Sequence, residues 1–127
     1  MSKKAMMVCA EDGRSIQGLD ISPFVGTLPN KVDPRTFFTQ NASGSTSEAA
    51  AIVESVLAGA DLLLIDEDSS ATNFLMRDRH MRKLIPEDPI TPLFDRVRQL
   101  YEDHVVSTVI IAGGSSDYLG VADHVIA

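Results

Sequence analysis

A run of four apolar residues at positions 62–65, followed at once by three acidic residues at positions 66–68, constrains the fold more than any other part of this sequence. A short apolar run without alternation is typical of a strand that is buried on both faces of a parallel sheet. Acidic residues after such a strand lie at its carboxyl end, where open α/β sheets bind ligands. The run therefore predicts an α/β fold with a candidate site just after Ile65.

The segments around this strand predict helices. Ser45, followed three residues later by Glu48, forms a capping box, and Gly59 ends the Ala-rich pattern, so we expect a helix over residues 46–58. Further helices are predicted over residues 72–84 and 92–104, with residues 105–112 as the next buried strand. This order implies parallel strands joined by right-handed crossovers, and hence a three-layer sheet with flanking helices.

The N-terminal part predicts a β-hairpin followed by a loop. Residues 4–10 form one predicted strand, residues 11–14 supply turn chemistry, and residues 15–24 form a second extended segment. Residues 25–41 are rich in Gly, Pro, Asn and Thr and have no sustained period, which predicts a long loop. We therefore expect a single domain over residues 1–127, with the hairpin and loop in 1–41 and the α/β part in 42–127.

The charge of the chain limits its ligands and partners. Its formal net charge is −7, so the averaged field repels phosphates and nucleic-acid backbones, and any phosphate must be held by local donors. Basic side chains cluster on the helix predicted after residue 72: Arg77, Arg79, Arg82 and Lys83. These could contact nucleic acid, but a solvated helical face is the interpretation that we favour.

The remaining composition indicates a reducing compartment. The single Cys9 cannot form an internal disulfide, and no apolar run is long enough to span a bilayer, so the cytoplasm is the simplest expectation. His80, His104 and His124 lack the spacing of a zinc site.

A small, hydroxyl-rich segment, residues 42–47, precedes the first predicted helix. Its amides and hydroxyls would lie at the helix N-terminus, where the dipole favours an anion, so it could bind a phosphate, and a plain N-cap is the alternative. After the apolar strand, Asp66 and Glu67 match the Walker B arrangement, in which one carboxylate helps to hold Mg²⁺ and the next orients the attacking water. Solvation of a strand end is the alternative for these acids.

Three motifs occur together in one order: Ser-Gly-Ser-Thr from position 43, Asp-Glu at 66–67, and Ser-Ala-Thr-Asn at 70–73. This is the order of the signature motif, Walker B and D-loop of ABC ATPases, and the chain resembles the predicted ATPases of the ABC class. The strings that carry the resemblance are residues 10–14, 20–24, 42–47, 65–68, 70–74, 89–92, 96–98, 113–115 and 117–118. The resemblance thus runs over nearly the whole chain.

The resemblance implies a role for each motif. Asp66 would lie near Mg²⁺ and Glu67 would be the catalytic base that orients water. Another nucleotide-binding unit would present the nucleotide. Its γ-phosphate would be contacted by Ser43, Gly44 and Ser45. The D-loop at the interface between the two units would include Ser70, Ala71 and Asn73.

Two departures from the family pattern limit the activity of the isolated chain. The sequence contains no Gly-x-x-x-x-Gly-Lys-Ser/Thr, so the P-loop that binds the β- and γ-phosphates is missing and the chain alone should not hydrolyse ATP. No His follows the next strand at the switch position, where Ser115 or Asp117 could sense the γ-phosphate, with a plain Gly-rich turn as the alternative.

These features predict a partial P-loop NTPase-like (ABC-type) sheet from a larger ATPase, and residues 125–126 would begin one more strand. Joined to its P-loop half, this fragment would bind and hydrolyse ATP with Mg²⁺. Its partners would be that half and a second nucleotide-binding unit or another copy, with self-association through unpaired sheet edges. The alternatives are a non-catalytic interaction module and a stand-alone mononucleotide binder that uses residues 113–116.

Overall fold

The computed structural model describes residues 4–26, 33–75, 91–113 and 122–126. The strands are β1 (Ala5–Val8), β2 (Ile16–Leu19), β3 (Phe37–Thr39), β4 (Leu62–Asp66) and β5 (Ser107–Ile111). The α-helices are α1 (Gly44–Leu57), α2 (Thr72–Leu75) and α3 (Val97–His104). Single 3-10 turns occur at Pro34–Thr36, Glu67–Ser69 and Leu93–Asp95.

The central element is a parallel sheet with the strand order β1-β4-β5. In the middle strand, Leu64 pairs with Met7 of β1 on one side and with Val109 of β5 on the other. The apolar run at positions 62–65 is therefore the inner strand of this sheet, as its composition indicates. Helices and a parallel sheet together confirm the predicted α/β fold class.

The antiparallel pair near the N-terminus exists, but the predicted choice of partners is wrong. β2 pairs with β3, whereas β1 lies parallel to β4. Lys4 and Asp61 explain the position of β1: the Lys4 amide donates to Asp61 Oδ1 at 3.0 Å, and the Asp61 amide donates to the Lys4 carbonyl oxygen at 3.0 Å. These two bonds align the start of β1 with the start of β4.

The segment predicted as a loop, residues 25–41, contains the 3-10 turn at Pro34–Thr36 and the strand β3. Phe37 and Phe38 supply β-propensity that the surrounding Gly, Pro and Asn residues obscure in the sequence. The prediction of an irregular segment throughout residues 25–41 is therefore wrong at β3.

Helix α1 confirms the predicted helix but begins two residues earlier, and its cap differs. Ser43, rather than Ser45, is the N-cap, and its Oγ accepts a hydrogen bond from the Thr46 amide at 3.3 Å. The predicted capping box of Ser45 with Glu48 is wrong because the cap lies two residues upstream, and Glu48 therefore faces the interior. The helix ends before Gly59, whose φ of +91° is a left-handed conformation that suits glycine.

The C-terminal predictions are confirmed in part. Helix α2 starts at Thr72 as predicted, whereas residues 76–90, with the basic cluster and His80, lie outside the described residues. The helix predicted from Pro92 is a 3-10 turn followed by α3, and the strand predicted over residues 105–112 is β5. The strand predicted at residues 125–126 is wrong, since residues 122–126 contain no strand.

One face of the parallel sheet is packed and the other is open. On the packed face, Leu63 and Ile65 join Ile52 of α1 in the main hydrophobic core. Phe24 and Phe74 form an edge-to-face pair in the same core, with ring centroids 5.3 Å apart. The open face carries four apolar side chains, which we call the exposed sheet face: Met7, Leu64, Val109 and Ile111.

Candidate functional site

Asp66 is the last residue of β4 and lies at the carboxyl edge of the parallel sheet. Its Oδ1 accepts a hydrogen bond from the Asp68 amide at 3.1 Å, which makes Asp66 the N-cap of the following 3-10 turn. The Ser70 hydroxyl donates to the Asp66 carbonyl oxygen at 2.9 Å. The sharp turn after β4 is thus built by the polar groups that the sequence places there.

Glu67, the predicted base, connects two strand ends. Its Oε2 accepts a hydrogen bond of 2.9 Å from the amide of Gly113, which lies two residues after the end of β5. This bond holds the carboxylate at the edge of the sheet, beside the start of the Gly-rich segment. The predicted sensors Ser115 and Asp117 lie outside the described residues.

The three predicted phosphate contacts lie together at the N-terminus of α1. Ser43 Oγ donates to Thr46 Oγ1 at 3.0 Å and lies 3.4 Å from Ser45 Oγ, so the hydroxyls are linked to one another in the cap. Ser45 is largely buried at 9% exposure, whereas Ser43 is exposed. The plain N-cap that the sequence allowed as the alternative is present.

Gly44 places this helix start against two other segments. A Cβ atom at Gly44 would lie 3.0 Å from Asp12 Oδ1, 3.6 Å from the Ala10 Cβ and 3.7 Å from the Ala71 Cβ. Ala71 belongs to the D-loop segment (residues 70–73), so the structure brings the predicted signature and D-loop positions into contact. The side chain of Asn73 lies outside the described part of the chain.

The loop after β1 completes this arrangement, and sequence reasoning assigned it no role. The Glu11 amide donates to Ser47 Oγ at 2.8 Å, and the Ser47 hydroxyl donates to the Gly44 carbonyl oxygen at 2.8 Å. The Ala10 amide donates to the Ser69 carbonyl oxygen at 2.9 Å. Residues 10–14 are among the strings that carry the family resemblance. That resemblance was the signal in the sequence that could have pointed to this loop.

The sequence pattern placed Glu48 wrongly, as the glutamate of a capping box. Its side chain is fully buried, and its Oε1 accepts a hydrogen bond from the Ala71 amide at 2.9 Å. Burial raises the pKa of Glu48, and the hydrogen bond from the Ala71 amide only partly offsets this. Because the Ser70 hydroxyl donates to the Asp66 carbonyl, Glu48 Oε2 is left without a hydrogen-bond partner.

Comparison with known families decides what kind of domain carries these contacts. The family model ABC_ATPase, described as a P-loop domain, matches residues 1–127. The chain belongs to this family. It is thus a domain of the ATPase-like, nucleotide-binding type. A separate search among curated proteins finds no match.

In an ABC_ATPase domain, the donor set at the carboxyl edge should suit Mg²⁺ and a nucleotide. Mg²⁺ in ATPases takes one or two protein carboxylates and completes its shell with phosphate oxygens and water. Asp66 and Glu67 offer such oxygens at the end of the central strand. The described residues contain no group of three or more His, Cys, Asp or Glu that could hold a metal by themselves. These residues therefore fit a Mg²⁺ that is bound together with phosphate.

An apolar cavity of the ABC_ATPase domain lies elsewhere. It has a volume of about 240 Å³ and lies between α1, α3 and the turn after β2, with Phe24, Ile52 and Leu100 among its lining residues. None of the predicted site residues that the structure describes contributes to it. In the same described ranges, no helix has the length and hydropathy to cross a membrane.

Proposed function

We propose that this chain is the part of an ABC-class ATPase that carries Walker B, a signature-like segment and the D-loop, and that it binds and hydrolyses ATP with Mg²⁺ once joined to its P-loop half. The observation that carries the proposal is the contact between residues 42–48 and residues 66–71 at the carboxyl edge of the sheet, made through Gly44, Glu48 and Ala71. The signature-like and D-loop positions thereby lie next to each other in a member of an ATPase family, which supports the proposal.

The two carboxylates after β4 have distinct roles in this proposal. Asp66 would hold Mg²⁺, which supplies charge neutralisation for the phosphate oxygens when it is bound. Glu67 would accept a hydrogen bond, and then a proton, from the attacking water. Its bond to the Gly113 amide holds the carboxylate at the carboxyl edge of the sheet.

The start of α1 would act on a nucleotide presented by a second unit. Ser43, Gly44 and Ser45 place hydroxyl and amide donors at the positive end of a 14-residue helix. The chain has a net charge of −7, so these local donors must outweigh the average repulsion of phosphate. A site completed in this way requires a second nucleotide-binding unit, from either the same protein or another copy.

The exposed sheet face supports the proposal of a missing half. Parallel sheets are normally covered on both faces. In this chain, Met7 and Ile111 are each 68% exposed, and Val109, which pairs with Leu64 of the inner strand, is 47% exposed. We propose that elements of the P-loop half cover this face. A non-catalytic interaction module is the rival function, since the same face would serve as its binding surface.

Calorimetric titration with ATP and Mg²⁺ tests the proposal. The isolated chain should show no micromolar binding, whereas the same chain joined to its P-loop half should bind ATP and release phosphate. Micromolar binding by the isolated chain would instead support the stand-alone binder that uses residues 113–116. Binding without any turnover by the joined protein would support the interaction module and overturn the ATPase.

A further inference from the structure

Glu48 differs from every other acidic side chain in the described part of the chain because it alone is fully buried. It lies on the inner face of α1, and its Oε1 accepts the Ala71 amide from a segment 23 residues further along the chain. An apolar side chain would fill this space without the desolvation cost of a carboxyl group. The hydrogen bond to Ala71 is therefore what a glutamate provides here that an apolar residue cannot.

Among the residues that the structure describes, Glu48 has no ion-pair partner. The charged groups on the loop after β1 are Glu11, Asp12 and Arg14, and Arg14 is paired with Glu54. The segment after β4 carries acids at positions 66–68, and the described part of α2 carries no charge. Glu48 thus acts as a hydrogen-bond acceptor rather than as half of a salt bridge.

Around Glu48, three segments are fastened to one another. Residues 44–48 contact the loop after β1 through the Ser47–Glu11 bond, and that loop contacts the turn after β4 through the Ala10–Ser69 bond. The Glu48–Ala71 bond joins α1 directly to the segment that follows the turn after β4. In addition, a Cβ atom at Gly44 would lie 3.7 Å from the Ala71 Cβ, so the amide that Glu48 holds belongs to a residue close to the start of α1.

We infer that Glu48 is a positioning residue, which sets the D-loop segment (residues 70–73) in a fixed arrangement against the N-terminal turn of α1. Its importance for catalysis rests on the proposed function, whereas the contact itself does not. Loss of the acceptor frees the Ala71 amide and releases residues 70–73 from α1. The hydrogen-bond geometry requires an oxygen acceptor at this position and not a negative charge.

Hydrogen exchange of the Ala71 amide, read by NMR in the nucleotide-free chain, tests the contact directly. In Glu48→Ala, exchange at Ala71 should be about tenfold faster, because the acceptor is lost. Glu48→Gln retains a carbonyl oxygen and should exchange at the wild-type rate. The matched control is Glu54→Gln, on the same helix but half exposed, which should leave Ala71 unchanged. Unchanged exchange in Glu48→Ala, or equal acceleration at Ala71 and throughout β4, would overturn the inference.

A second variant keeps the test decisive if Glu48→Ala does not fold. Ala71→Pro removes the donor and leaves Glu48 in place. The preceding residue, Ser70, has φ −115° and ψ 156°, the extended conformation that a residue before proline needs. Ala71→Pro should therefore fold and should expose residues 70–73 to faster exchange. Wild-type exchange at residues 72 and 73 in this variant would contradict the inference.

Turnover in the protein joined to its P-loop half separates this inference from the proposed function. Glu48→Ala should lower kcat about tenfold with little change in KM, and Glu48→Gln should restore it. If Glu48→Ala exchanges faster at Ala71 but retains the wild-type kcat, the positioning role is wrong and the ATPase assignment stands. If no form hydrolyses ATP, the proposed function fails, and the exchange result alone decides whether Glu48 holds the segment.

Discussion

The Glu67 carboxylate accepts a hydrogen bond from the Gly113 amide at 2.9 Å, across 46 residues of chain, and so connects the carboxyl ends of β4 and β5. A glutamine at position 67 could keep this bond through its carbonyl oxygen, yet it cannot take a proton from water. The contact therefore allows the structural and the chemical contributions of Glu67 to be separated.

Glu67→Gln in the protein joined to its P-loop half should lower ATP turnover by at least about a hundredfold, because the general base is removed. Nucleotide affinity, measured by calorimetry, should stay within about twofold of wild type. Glu54→Gln serves as the matched control, since this half-exposed glutamate of α1 pairs with Arg14 and belongs to neither β4 nor β5. Preserved turnover in Glu67→Gln would exclude Glu67 as the base.

Glu48 should make the stability of the isolated chain depend on pH. Burial raises the pKa of Glu48 above its ordinary value of 4.5, so the folded chain keeps a proton there over a range in which the unfolded chain has lost it. The unfolded chain binds fewer protons in this range, and the free energy of unfolding therefore falls as the pH rises. The contribution of Glu48 is complete below pH 4.5 and is lost as the pH rises through the raised pKa.

Urea denaturation of the wild type and Glu48→Gln between pH 4 and pH 8, as a rough working range, measures this effect. The free energy of unfolding of the wild type should fall relative to that of Glu48→Gln by up to about 1.4 kcal/mol per pH unit. The difference between the two proteins removes the background from the other acidic groups. A difference that is constant with pH, or that grows in favour of the wild type, would show that the pKa of Glu48 is not raised.

Phe74 should anchor the segment after β4 to the core. Its ring is fully buried and packs edge-to-face on Phe24 at a centroid distance of 5.3 Å. Phe74→Ala should lower the free energy of unfolding by about 3–5 kcal/mol, and a double-mutant cycle with Phe24→Ala should give a coupling of about 0.5–1.5 kcal/mol. Phe38→Ala is the control, because that ring is 63% exposed and its loss should cost about 0.5 kcal/mol or less.

The parts of the fold that depend on local pattern could be predicted from the sequence. The apolar strand at positions 62–65 and helix α1 have strong local signals, and both are present. The partner of β1 could not be predicted, because residues 4–10 and 15–24 are close in sequence and the bonds that align β1 join Lys4 to the distant Asp61. Strand pairing depends on such long-range contacts, which local propensity does not contain.

The candidate site, like the fold, could be predicted from the sequence only where local patterns decide it. Asp66 and Glu67 could be chosen as candidates from their place after an apolar strand, whereas the contact of Glu48 with Ala71 could not be predicted. A serine followed three residues later by a glutamate satisfies the capping-box pattern at Ser45. The pattern fits equally well when the cap lies at Ser43, and only the packing of α1 turns Glu48 towards Ala71. The sequence could name candidate residues but not the contacts that hold their segments together.

The exposed sheet face should govern self-association and the joining of the P-loop half. Apolar side chains on an uncovered parallel sheet favour association, so the isolated chain should form concentration-dependent oligomers in sedimentation experiments. Val109→Lys places a charge on this face, beside Leu64 of the inner strand, and should shift the isolated chain towards monomer. Leu57→Lys is the matched control, since Leu57 is 74% exposed but lies at the end of α1.

The same variants test what covers the face in the complete protein. If the P-loop half packs there, Val109→Lys should weaken its binding to the chain by at least about tenfold, because a buried lysine would lack a partner. Leu57→Lys should leave this affinity unchanged. Wild-type affinity in Val109→Lys would mean that the P-loop half joins elsewhere. Monomers of the wild-type chain at all concentrations would show in addition that the exposed sheet face does not drive association.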